Sequence, residues 1–152
     1  MDAELPLLAA SQASFPWLSL IVLLPAAGAM LMPLLPGSSG DNSPLPRNLA
    51  LGVLLVDLLL MLVVFATQFD PSQSGLQLVE RVSWLPVIGL EWSLAADGLS
   101  APLVVLSGLV TLLSVAASWS VTSKSRLYFA LLLVQASAQG LVFLSQDFLL
   151  FF

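Results

Sequence analysis

The chain has 152 residues, 59% hydrophobic and only 9% charged, with a formal net charge of −5 and a mean hydropathy of +1.02. A soluble domain of this size cannot hide that much apolar surface from water, so the solvent for most of the chain is lipid. Cysteine and histidine are both absent, which excludes a disulfide framework, a thiolate or imidazole metal site, a cluster or His-ligated haem held by this chain, Ser-His-Asp catalysis and a histidine proton shuttle.

Four apolar segments are each about twenty residues long, the length that crosses roughly 30 Å of hydrocarbon at 1.5 Å per residue. They predict an all-α fold, a polytopic bundle of four spanning helices with the start of a fifth. The first runs from about Phe15 to Leu35. The residues before it include Asp2 and Glu4 and no Lys or Arg, so it reads as a retained helix and not as a cleaved signal peptide, which starts with positive charge. Pro16 suits a first turn, Pro25 should kink or locally unwind the helix, and the small residues from Ala26 to Ala29 let a neighbouring helix come close.

After a Gly-, Ser- and Pro-rich loop over 36–47, the second segment runs from about Asn48 to Thr67 and holds Asp57 near its midpoint. An Asp at a helix centre opposes insertion by roughly 2.5–3.5 kcal/mol, so it must face protein or water. No Lys, Arg or His lies in any of the four segments, so no cation within them can neutralise it. Two roles stay open for Asp57, a structural hydrogen bond to a neighbouring helix and a place on a proton pathway.

The long connection over 68–96 carries Asp70, Glu80 and Glu91, and its stretch 76–94 alternates in the manner of a short hairpin lying on the membrane surface, with Trp84 and Trp92 suited to the interface. Asp97 precedes the third segment, about Leu99 to Ser120, at a position that suits helix capping better than proton transfer. Ser100, Ser107, Thr111, Ser114 and Ser118 fall along one face of that segment. Such a stripe serves helix packing or lines a hydrated path. The fourth segment, about Leu127 to Leu144, places Gln135 and Gln139 on one face for bonding between helices, beside the small pair Ala136 and Gly140. Asp147 then stands before Phe148 to Phe152, the opening of a fifth helix, where it is a capping residue and a second proton-pathway candidate. That final apolar run stops without a polar flank, so the chain reads as the opening part of a longer protein.

Of the four basic residues, Arg47, Lys124 and Arg126 lie in the two short loops and Arg81 in the long connection. The positive-inside rule puts the short loops in the cytoplasm, and the N-terminus and acidic hairpin on the lumenal or periplasmic side.

Phe15-Pro-Trp-Leu18, Trp84-Leu-Pro-Val-Ile-Gly-Leu, Asp97-Gly-Leu-Ser100 with Leu103-Val-Val-Leu106, and Gln146-Asp-Phe-Leu-Leu-Phe-Phe152 together resemble chain 4 of the type I NAD(P)H:quinone oxidoreductase, in its cyanobacterial and plastid version. The resemblance runs from Phe15 to the end. It implies the opening portion of an antiporter-like membrane-arm subunit of complex I that couples electron transfer to plastoquinone with proton translocation, in a thylakoid or bacterial inner membrane. It also implies that this chain binds no cofactor, that NAD(P)H or another reduced donor, iron–sulfur clusters and quinone are handled by other subunits, and that its partners are other membrane-arm subunits and the bilayer, with no nucleic acid. The family's central glutamate and lysines lie on later helices, so Asp57 is the mid-membrane charge carried forward here. The alternatives are a structural, non-pumping membrane piece and a cation/proton antiporter component.

Overall fold

A computed structural model describes residues 15–34, 44–70, 72, 75–85, 90–121 and 123–146. Within them the chain forms α1 (Trp17–Leu31, extended by a 3₁₀ turn Met32–Leu34), α2 (Leu45–Gln68), the strands β1 (Gln77–Leu85) and β2 (Leu90–Ala96), α3 (Ser100–Ala117) and α4 (Ser125–Leu144). All four helices, α1 with its 3₁₀ turn, are long and apolar enough to cross a membrane. The expected start of a fifth helix at Phe148 lies outside the described residues.

The start of α2 and the course of α1 at Pro25 differ from the sequence reading. α2 begins at Leu45, not Asn48, because Pro46 sits in the first turn, where its fixed φ favours the helix and its missing N–H needs no partner. Pro25 neither ends nor unwinds α1, which stays helical through it to Leu31. Pro25 has no N–H to offer the Ile21 carbonyl; one residue further on, the Ser137 hydroxyl of α4 donates to the Val22 carbonyl at 2.7 Å and ties α4 to this turn of α1.

α1 packs chiefly on α4, α2 on α3, and α3 on α4. The buried side chains fall into two clusters that show successive helices alternating in direction. One joins Leu18, Ile21 and Val22 at the start of α1 to Met61 and Val64 late in α2, Val104 early in α3, Leu144 at the end of α4, and Leu78, Leu94 and Ala96 of the hairpin. The other gathers Ala29, Met32, Ala50, Leu54, Val115, Phe129 and Leu133 at the opposite end. Lipid tails are as apolar as leucine, so contact between these helices depends on close packing. Gly28 provides it: a Cβ there would lie 2.9 Å from Val53 Cγ1 and 3.4 Å from Leu133 Cδ1. Gly140 does the same on α4, where a Cβ would lie 3.3 Å from Val22 Cγ2.

β1 and β2 form an antiparallel pair whose register shifts between Gln77 and Glu80, where two residues of β1, Leu78 and Val79, stand against one of β2, Ala95. Leu78 occupies the left-handed region at φ 56°. A bulge of this kind breaks the in-out alternation of a strand, and Gln77, Leu78, Val79 and Glu80 are consequently buried in a row. The hairpin is tied to the helices at several points. The Asp70 N–H donates to Gln77 Oε1 at 2.8 Å, and Gln77 Nε2 donates back to the Asp70 carbonyl at 2.7 Å, fixing β1 to the end of α2. The Gln146 N–H donates to the Ser93 carbonyl at 3.0 Å, and Leu94 bridges to Ser145, fixing β2 to the end of α4.

Candidate functional site

Between the two apolar clusters every helix contributes small or polar residues at the same level: Pro25 and Gly28 on α1, Asp57 on α2, Gly108 and Thr111 on α3, Ser137 and Gly140 on α4. Each stands in the sequence between the residues its helix gives to one cluster and those it gives to the other. Asp57, Thr111 and Ser137 are 2%, 5% and 8% exposed. Among the described residues they are the buried polar side chains of the four helices, and all three fall in this layer.

α2 places Asp57 on its inward face because Ala50, Leu54, Leu58, Met61 and Val64, buried at the same spacing, define that face. As the thirteenth residue of a 24-residue helix, it lies about 18 Å from either end at 1.5 Å per residue. Its Oδ1 atom is buried without a hydrogen-bond partner among the described residues. The Thr111 hydroxyl lies 2.9 Å from the Ser107 carbonyl and 3.3 Å from Gln139 Oε1, which links α3 to α4. The layer thus holds one group able to take up and release a proton, with hydroxyl and amide side chains at its level. Among the described residues no three His, Cys, Asp or Glu side chains come together to hold a metal ion.

The other acidic residues behave differently. Asp97 is a helix cap: its Oδ1 accepts from the backbone N–H of Ser100 at 2.6 Å and of Leu99 at 3.0 Å, and the Ser100 hydroxyl accepts from the Asp97 N–H at 2.9 Å. The first helical bond of α3 runs from the Ala101 N–H to the Asp97 carbonyl. The Ser100 N–H beside it holds the Asp97 carboxyl below the usual carboxylate range. Asp147 lies outside the described residues.

Glu80 is the residue that sequence reasoning missed, having placed it on an acidic outer face. It is 7% exposed and caps α1 from a distance of more than sixty residues in sequence: Oε1 accepts from the Leu18 N–H at 2.6 Å, and Oε2 from the Ser19 N–H at 2.9 Å and the Ser19 hydroxyl at 2.6 Å. The Trp92 indole donates to the same Ser19 hydroxyl at 2.9 Å, so this tryptophan holds the hairpin to α1. The side chain of Trp84 lies outside the described residues.

The hydroxyl stripe of α3 does not line an inner path along its length. Thr111 is buried and Ser114 exposed, and the hydroxyls of Ser107, Ser114 and Ser118 lie 2.7–2.9 Å from carbonyls of their own helix. At the end away from the hairpin, the Arg47 guanidinium lies over the Trp119 ring, 3.8 Å from its centroid, joining the first turn of α2 to the loop after α3. Arg47, Lys124 and Arg126 therefore share one end of the bundle.

The architecture is that of an integral membrane protein built as an antiparallel helical bundle with a capping hairpin. No protein-family model matches the chain. Over 140 residues it is 50% identical to NAD(P)H-quinone oxidoreductase chain 4 2 of Microcystis aeruginosa, a match covering 92% of this chain and 25% of that protein. It is 49% identical to NAD(P)H-quinone oxidoreductase chain 4 of Synechococcus sp. strain CC9311 and of Prochlorococcus marinus strain MIT 9313, in each case over 140 residues. The resemblance carried by the sequence motifs is thus borne out: the chain is a homologue of the N-terminal portion of these chain 4 proteins. It spans about a quarter of the length of the curated relatives it matches.

Proposed function

We propose that this chain serves in the membrane arm of an NAD(P)H-quinone oxidoreductase, as part of an antiporter-like subunit that couples electron transfer to quinone with proton translocation. The observation that carries this reading is the 50% identity over 92% of the chain to proteins of that name. It is favoured over a stand-alone cation/proton antiporter component and over a non-pumping structural piece. In this reading the reduced donor, the iron–sulfur clusters and the quinone are handled by other subunits, and the partners of this chain are membrane-arm subunits and lipid. The cyanobacterial relatives support a thylakoid or bacterial inner membrane. The shared end of Arg47, Lys124 and Arg126 supports a cytoplasmic position for that end, with the N-terminus and hairpin on the other side.

Asp57 takes the proton-handling role, supported by its depth, its burial and its unpartnered oxygen. Asp147, before the apolar run 148–152, is a second candidate on the strength of its sequence position. Two measurements test the proposal. A tagged chain expressed in a host with its native oxidoreductase copurifies with quinone-reducing activity, and its isolation free of any such complex would refute membership. In the assembled complex, Asp57→Asn preserves quinone reduction and lowers proton uptake several-fold. Unchanged proton uptake would remove Asp57 from the pathway.

A further inference from the structure

Arg47 and Arg126 lie in the first turns of α2 and α4, with Lys124 immediately before α4, and neither first turn holds an acidic residue. A helix N-terminus carries partial positive charge, so cations there are repelled where a carboxylate would be stabilised. Among the described residues the acidic ones stand elsewhere, Asp57 at mid-membrane and Asp70, Glu80, Glu91 and Asp97 towards the hairpin end. The loop over 35–43 adds Asp41 alone, so this end is net positive even when that residue is counted.

Arg47 is held in a particular way. Its guanidinium lies over the Trp119 ring, 3.8 Å from the centroid, and its Nε is buried without a hydrogen-bond partner among the described residues. Stacking on an indole takes the flat face of a guanidinium and leaves its N–H donors pointing outward along the edge. That edge matches the paired oxygens of a phosphate, which it binds bidentately. Trp119 is 71% exposed, which suits the headgroup level of a bilayer. Towards the membrane centre the surface turns apolar: Leu55, about two turns further along α2, and Leu127, beside Arg126, are both exposed. A soluble phosphate would use the cations and leave this apolar surface bare, whereas a phospholipid covers both.

We propose that Arg47, Trp119 and Lys124 form a headgroup site for an anionic phospholipid, with its phosphate on the edge of the Arg47 guanidinium and its acyl chains on the apolar surface beside it. Basic clusters at the ends of membrane helices bind anionic headgroups in this way. The site rests on charge, stacking and depth, and does not depend on the oxidoreductase reading.

Native mass spectrometry of the full chain in detergent micelles tests it, with phosphatidylglycerol, phosphatidylcholine of the same acyl chains and glycerol 3-phosphate offered in turn. Phosphatidylglycerol is expected to be retained several-fold more than phosphatidylcholine, and glycerol 3-phosphate not to displace it. Arg47→Gln should lower that retention several-fold and Arg47→Lys less, while Arg81→Gln, in the hairpin, should leave it unchanged. Equal retention of the two lipids overturns the proposal, as does an equal loss in Arg81→Gln. Displacement by glycerol 3-phosphate would make the site one for soluble anions and overturn it too. Should Arg47→Gln fail to insert, the unsubstituted chain supplies a second measurement: retention of phosphatidylglycerol should fall as ammonium acetate is raised, and a flat dependence overturns the proposal.

Discussion

Glu80 and Asp97 show how differently two carboxylates of one connection are used. Glu80 serves two of the first N–H groups of α1, which no carbonyl of the same helix can reach, and one of these belongs to fully buried Leu18. Glu80→Ala leaves those donors without a partner in a dry site and is expected to destabilise the bundle by roughly 1–3 kcal/mol, with a smaller loss for Glu80→Gln, which keeps an acceptor oxygen. Thermal unfolding in detergent measures the difference, and faster hydrogen exchange at Leu18 and Ser19 locates it. Equal stability of all three proteins would remove the cap from the account. Asp97 adds a pH dependence. Its folded pKa lies below its ordinary value, so its contribution is fully present above the unfolded value of 3.8 and is lost as pH falls through the lower folded value. The Leu99 and Ser100 amides should thus lose protection, relative to intrinsic exchange, in the most acidic range. Asp97→Asn should flatten that dependence, because an amide caps without titrating. The role of Asp97 was legible from its place before a helical run, since capping is local. That of Glu80 was not, because the N–H groups it serves, those of Leu18 and Ser19, lie more than sixty residues away in sequence.

At the scale of elements, α1 is the helix whose contacts are most exacting. Gly28→Ala pushes a methyl into Val53, close enough that the neighbour must shift, and should cost about 1–3 kcal/mol. Gly52, on the exposed side of α2, has nothing within 4 Å of where a Cβ would stand, so Gly52→Ala should be neutral or stabilising by up to about 1 kcal/mol. Denaturation in mixed micelles compares the two variants directly, and equal midpoints would show that the α1–α2 contact is not tight. The helices themselves were readable from length and hydropathy. Their first residues were less so, because Pro46 in α2 reads in sequence as the end of a loop and in three dimensions as the first turn of a helix. The hydroxyl stripe of α3 was legible as a face. Its use was not, since which members are buried depends on where α4 lies.

For the molecule as a whole, the positions of Arg47, Lys124 and Arg126 at one end predict a sidedness that a chain without cysteine makes simple to measure. Ser123→Cys should react with a membrane-impermeant maleimide from the cytoplasmic side, and Ser72→Cys only after the membrane is permeabilised; the opposite pattern would reverse the orientation. The sequence by itself determined that the chain is an integral membrane protein, that four of its helices are long and apolar enough to cross a bilayer and that one carboxylate stands near the middle of α2. Transfer into lipid is close to a sum over consecutive side chains, so these properties are written along the chain. Only the tertiary structure decided that Asp57, Thr111 and Ser137 share one buried layer between two apolar clusters, that Glu80 caps α1, and that Arg47 stacks on Trp119. Those facts depend on which residues stand opposite one another across helices distant in sequence, and packing alone settles that register.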